Sequence, residues 1–300
     1  VPRPQKSNII EGAIDMIQIP VGLQLFSVRE ALAQDFKGTL ERIAEMGYKN
    51  IEFAFHTINE DGKIEVEYSA EELKAIMEKL GLQVVTSHVS LHPKLDWDEV
   101  IRYNAVLGSK GIVMPAAFFE NKQDVLDLAK WLNESGRKCK EAGIQFYYHN
   151  HFHEFQEFDG QSILEMLLEN TDPELVQLEF DTFWALRGGV DPIAFMDKYK
   201  SRIGLLHQKD LSPSANPVNL LEKVSGHLTP EVVFTAANAE DFTEIGAGVM
   251  DIPSILNKAA ELGTVNYIIV EQDQSTKGEL ESVKESLRNI NRLLADNEKI

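Results

Sequence analysis

The chain has 300 residues and a net charge of −19. That charge repels phosphate backbones, and no Lys/Arg run supplies the basic footprint nucleic-acid binding needs, so a nucleic-acid partner is not expected. With 43% hydrophobic and 26% charged residues the chain can bury a sizeable core, which excludes wholesale disorder, and no apolar run approaches the length of a membrane span.

Residues 1–20, VPRPQKSNIIEGAIDMIQIP, read as an N-terminal extension whose prolines and charges interrupt the apolar stretch a signal peptide requires. The single cysteine, Cys139, permits no intrachain disulfide and suits a reducing, cytoplasmic setting. From residue 21 to 300 one unit recurs: a helical stretch, a glycine, then a short β-rich run. Gly47, Gly81, Gly108, Gly143 and Gly263 stand where a left-handed C-cap ends a helix. Asp35 precedes FKGTLERIAEM as an N-cap, and Ser69 with Glu72 forms a capping box before LKAIMEKL.

The expected strands, in order, are VGLQLFS from Val21, NIEFA, QVVTSH, GIVMPA, IQFYYHN, LVQLEFD, IGLLHQKD and YIIVEQD. They are short and apolar without clean alternation, as strands buried on both faces are. Eight strands alternating with helices imply a parallel sheet closed into a single (β/α)8 barrel of the TIM type. A doubly wound open sheet is the second choice, but its Gly-rich first turn is missing, and the GxG in EIGAGVMD opens a late helix. A last helix runs from Lys277 to Leu294. Residues 211–250 are too long for a simple turn after the seventh strand, and are expected to form a lid or to supply homo-oligomer contacts.

In such a barrel the chemistry sits at the C-terminal strand ends. The third strand ends with His88 and then His92, the fifth with His149 and His151, the sixth with Asp181, the seventh with His207 and the eighth with Glu271. Taken singly, each has an ordinary structural explanation; together they bring several metal-capable groups to one mouth. Alternation puts Tyr147, His149 and His151 on one face, and Glu179 one layer below Asp181 as a supporting partner. His153 falls in the following loop and is expected to face solvent.

The segments GLQLFSVRE, EMGYKNIEFA, YYHNHFHEF, LEFDTFWALRGGVDP, LLHQKDL, EIGAGVMD and VEQDQS, in this order and spacing, resemble the xylose-isomerase-like TIM-barrel superfamily, in its sugar phosphate isomerase/epimerase branch. The resemblance implies one divalent ion (Mn, Zn, Co, Fe or Mg) held by His149, Asp181, His207 and Glu271. Many relatives carry Glu where His149 stands. Two imidazoles and two carboxylates leave a divalent ion formally neutralised, and a metal-bound neutral imidazole has no free lone pair, so His149 cannot also serve as the base. The bases are then Glu271, through its unbound oxygen, or His151.

The function this implies is a metal-dependent isomerase or epimerase of a keto- or aldo-sugar, working by proton abstraction beside a polarised carbonyl. The alternative is a lyase or dehydratase acting on an oxidised sugar, glycoside or cyclitol through the same abstraction. A phosphodiesterase, which would draw His88 and His92 into a larger ligand set, and a non-catalytic sugar-binding barrel rank below both. His88, Trp184, Arg187 and Lys209 are the expected substrate contacts, with Gln24 and Glu52 given less weight.

Overall fold

The computed structural model describes residues 19–297 except His56, Leu91, Pro93, Ser225 and His227. The extension expected at 1–20 lies almost entirely outside the described residues. Eight parallel strands close into a barrel: β1 (Val21–Gln24), β2 (Asn50–Phe55), β3 (Gln83–Val89), β4 (Gly111–Met114), β5 (Gln145–His149), β6 (Val176–Asp181), β7 (Ile203–Gln208) and β8 (Tyr267–Val270). Each strand pairs with its sequence neighbour, and β8 closes on β1 with Val21 opposite Ile268.

The local signals act as their chemistry requires. Ser69 and Glu72 exchange hydrogen bonds at the start of helix Ala70–Leu80: the Glu72 amide donates to Ser69 Oγ, and Glu72 Oε2 accepts the Ser69 amide at 2.9 Å. Asp35 caps helix Phe36–Met46 by accepting the Gly38 amide at 3.0 Å. The five cap glycines all have positive φ, between 66° and 109°. The last helix spans Glu279–Asn297, and no described helix is long and apolar enough to cross a membrane.

Most of the apolar core lies between the strands and the outer helices. Inside the barrel, residues of alternate parity stack in layers, as closed parallel barrels require. The lowest is an apolar plug of Val113, Tyr147 and Leu205, with Tyr267 against it. Above it Glu52, His88, Glu179 and His207 form a layer that is polar yet buried. His149, Asp181 and Glu271 lie above that, at the C-terminal ends. Strand stagger decides which residues share a layer: Asp181 is opposite His207 across β6 and β7, while Glu179 is opposite His149 across β5 and β6.

Residues 211–250 are not a plain loop. Asp210–Leu211 pairs antiparallel with Phe242–Thr243, and the span between holds a 3-10 turn at Leu220–Glu222 and a short helix at Pro230–Thr235. Its far end is gathered by the buried Asp210 carboxylate, which accepts the amides of Leu211 (2.9 Å), Gly246 (2.8 Å), Gly248 (3.0 Å) and Met250 (3.1 Å). A Cβ at Gly248 would lie 2.3 Å from Asp210 Oδ1, so only glycine admits this approach. The GxG of EIGAGVMD therefore cradles a carboxylate of its own chain.

Candidate metal centre

Four donor atoms, one each from His149, Asp181, His207 and Glu271, lie within 4.8 Å of one another on the last strands of the barrel. Their outer partners fix which atoms are free. His149 Nδ1 faces the Pro115 carbonyl at 3.1 Å, so it carries the proton and leaves the Nε2 lone pair toward Asp181 Oδ2, 3.4 Å away. His207 Nε2 lies 2.6 Å from Glu52 Oε1 and 3.2 Å from Glu179, so it is the protonated nitrogen, and Nδ1 points at Glu271 Oε2, 2.8 Å away. Asp181 uses Oδ1 to cap the helix that begins at Thr182, accepting the Trp184 amide at 2.8 Å, which leaves Oδ2 for the centre. Two imidazole nitrogens and two carboxylate oxygens, three of the four oriented from behind, fit a divalent ion of borderline softness.

In the layer beneath, Glu52 and His88 are held by protein groups, while Glu179 Oε1 is buried with no hydrogen-bond partner. Glu52 accepts from Gln24 Nε2 (2.8 Å), Thr86 Oγ1 (2.5 Å) and His207, while His88 Nε2 lies 2.7 Å from Glu179 Oε2 and 3.3 Å from Glu52 Oε1. Burial alone would lower the His88 imidazole, but Glu52 and Glu179 on either side outweigh it and hold it at about 9. The same competition, burial against Glu179, Glu271 and Glu52, holds His207 well above the ordinary histidine range without an ion. Burial opposes ionisation of Glu271 too, and Lys209 and His207 reverse it, keeping Glu271 well below the usual carboxylate range.

Lys209 is buried, with its ammonium between Asp181 Oδ2 and Glu271 Oε2 (2.5 Å from the latter) and 3.4 Å from Asp273 Oδ1. Its ammonium thus sits on the two carboxylate oxygens assigned to the centre, and Lys209, expected as a substrate contact, is instead fully buried among carboxylates. Above the centre opens a cavity of about 1140 Å³, lined by His88, His149, His151, Trp184, Glu271 and Asp273 among others. His151 lies just beyond β5 with its ring 5.0 Å from that of His149 and perpendicular to it; Nδ1 has no hydrogen-bond partner, and the Glu154 carboxylate accepts its backbone amide at 2.8 Å. Burial, with the neighbouring imidazoles, pushes His151 well below the ordinary histidine range, so the ring is neutral. Trp184 stands 5.6 Å from His151, ring to ring.

Other sequence expectations land elsewhere. Arg187 does not line the cavity: its guanidinium is buried, donates to the Pro217 carbonyl at 2.6 Å and lies 3.5 Å from Asp241, pinning the 211–250 segment. His153 does not face solvent. It is buried, donates to the Ala117 carbonyl at 2.7 Å and stacks on Phe118 at 5.0 Å, propping the cavity wall. His92 sits in the loop after β3, accepting the Lys94 amide, and belongs to neither metal-capable grouping. Two groups carry more weight than the sequence suggested. Glu52 orients His207, and its parity with Gln24 across β1 and β2 was the available signal. Asp273 lies past the end of β8, and burial pushes it up to about 7 against the opposing pull of Lys209; no periodicity marks a loop position of this kind.

Residues 40–293 match the family described as xylose isomerase-like TIM barrel. The inosose dehydratase of Clostridium tetani is 31% identical over 166 residues, 54% of this chain and 53% of that protein. The chain spans about half the length of the first curated relatives it matches, which are inosose dehydratases. A solved sugar phosphate isomerase/epimerase from Parabacteroides distasonis superposes with a TM-score of 0.71 at 28% identity, over 90% of this chain and 92% of that one. The IOLI protein, solved with a bound zinc atom, shares the fold: TM-score 0.68 and 15% identity, over 93% of this chain and 99% of that one.

Proposed function

Because the chain belongs to the xylose isomerase-like TIM barrel family, we propose that it is a divalent-metal-dependent lyase that removes water from a ring-oxidised sugar or cyclitol. The observation that carries this reading is the convergence of His149, Asp181, His207 and Glu271 beneath a cavity, with the neutral, unpaired imidazole of His151 beside them. The sequence alone ranks isomerisation first. Two facts shift the weight to elimination: the curated relatives are dehydratases, and His149 offers no second proton-accepting oxygen for a two-base epimerisation.

His149 Nε2, Asp181 Oδ2, His207 Nδ1 and Glu271 Oε2 would hold the ion. When bound, it supplies Lewis-acid polarisation of a substrate carbonyl and neighbouring hydroxyl, which acidifies the adjacent C–H. Glu52 and the Pro115 carbonyl keep both imidazoles in the ligating tautomer. His151 takes the proton α to the carbonyl. The C–O bond at the β carbon then breaks, the departing hydroxide leaves as water with the proton His151 took, and the ring is left as an enone. Lys209 holds the Asp181 and Glu271 carboxylates in place, and Trp184 walls the ring.

Manganese- or zinc-loaded protein incubated with a keto-inositol in D₂O and followed by proton NMR tests this. Loss of water with appearance of an enone or its diketone tautomer is expected. Deuterium exchange giving an epimer, without elimination, would return the assignment to an isomerase.

A further inference from the structure

The cavity is larger and greasier than a six-membered polyol ring needs. At about 1140 Å³ it exceeds the roughly 300–1,000 Å³ of pockets that bury drug-sized ligands. Its metal-capable groups gather on the floor. The wing beside them is built from Phe118, Phe119, Leu128, Trp131, Val233 and Phe234. Most hydroxyls placed there would face apolar side chains and lose their hydrogen bonds to water, Asp124 and Asp127 being the polar side chains on the same helix as Leu128 and Trp131. Phe234, on the short helix of the 211–250 segment, bridges floor and wing: it meets His151 edge-on at 6.0 Å and Phe118 edge-on at 5.6 Å. It is nevertheless 59% exposed, an aromatic face with room for a further apolar group.

Charge narrows the ligand further. Among the described residues, Arg29 is the single Lys or Arg that lines the cavity, and its guanidinium is already engaged, 4.1 Å over the Phe26 ring and donating to the Phe26 carbonyl at 2.8 Å. Asp124 and Asp127 line the cavity as well, adding negative charge. In the wing a phosphate would meet Asp124, Asp127 and aromatic faces where it needs a cluster of cations.

We infer that the substrate is an uncharged sugar bearing an apolar, aryl-sized substituent, with its oxidised ring over His149 and Glu271 and its substituent in the Phe118–Trp131–Phe234 wing. This rests on the lyase reading for the seat of the ring, and names the substrate class for that site.

Isothermal titration of the metal-loaded protein with phenyl β-glucoside, methyl β-glucoside and glucose 6-phosphate tests the inference by binding alone. The phenyl glucoside should bind at least tenfold more tightly than the methyl glucoside, and glucose 6-phosphate no more tightly than glucose. Phe234→Ala, an exposed position, should cut the phenyl-over-methyl ratio below threefold, and Trp131→Ala, checked for folding by thermal melting, should do the same. Equal binding of the two glucosides, no binding of the phenyl glucoside up to its solubility limit, or tightest binding of the phosphate would each overturn the inference. So would a wing closed by a second copy of the chain, seen as a dimer that Phe234→Ala splits and phenyl glucoside does not enter. Solvent deuterium exchange into an unsubstituted keto-inositol, measured in parallel, separates the two readings. Exchange without a phenyl preference sinks only the substrate class, whereas no exchange sinks the lyase assignment.

Discussion

Two layers of ionisable side chains lie one above the other inside this barrel, and they share His207. In the lower layer Gln24 and Thr86 hold Glu52, and His88 lies between Glu52 and Glu179, whose Oε1 has no hydrogen-bond partner. In the upper layer His149, Asp181 and Glu271 keep donor atoms directed at a common point below an open cavity. The residue types are nearly the same, yet the two sets are held in different ways. What separates them is where the hydrogen-bond partners come from: neighbouring strands hold the lower layer, while a loop carbonyl and a helix cap orient His149 and Asp181 of the upper one from behind. His207 couples the two, giving Nε2–H down to Glu52 and Nδ1 up to the centre.

The largest effect should come from breaking the upper layer. Glu271→Gln removes a donor and is expected to lower turnover roughly 10³-fold, the several kcal/mol a Lewis acid supplies, with metal content lost in elemental analysis. His151→Gln should lower turnover by about 10²–10⁴-fold while the ion stays bound, which separates the base from the ligands. Glu52→Gln sharpens the comparison: it leaves all four donors in place but removes the carboxylate behind His207. Metal affinity should fall about 10–100-fold with stoichiometry unchanged, as read by competition with a chelator.

A smaller effect marks a group outside both layers. Arg187→Met leaves the Pro217 carbonyl and Asp241 without their cation, so about 2 kcal/mol of stability should be lost in urea unfolding. Cleavage by protease should rise within 211–250. The lower layer also gives metal-free protein a pH response. His88 is raised in the fold to about 9 from 6.5, so its contribution is fully present below pH 6.5 and lost as pH rises through 9. Thermal stability should therefore fall between those values, and His88→Gln should flatten that part of the curve.

Much of this was legible in the sequence because it is local. Helix stops at Gly47, Gly81, Gly108 and Gly263 and the Ser69–Glu72 box are short-range chemistry, and counting the apolar runs between them yields the barrel. Strand parity also reached the centre: Glu179 below Asp181 is a two-residue argument, and the structure places it there. What parity could not supply was the relation between distant strands. Whether Glu52 meets His207 depends on the stagger of the closed sheet, which no single strand encodes. Arg187 had the composition of an anion contact, but the segment returning over it offered Pro217 and Asp241 instead. His153 looked like loop polarity and became a buried prop because the chain turns into a 3-10 helix at His153–Phe155.

The most direct test of the account is metal stoichiometry by elemental analysis of wild type, Glu271→Gln and Glu52→Gln, each loaded with manganese or zinc and then dialysed. The upper-layer centre predicts one ion per chain in wild type, nearly none in Glu271→Gln, and one weakly held ion in Glu52→Gln. Full occupancy surviving in Glu271→Gln, or an ion lost only from Glu52→Gln, would contradict it and move the site into the lower layer.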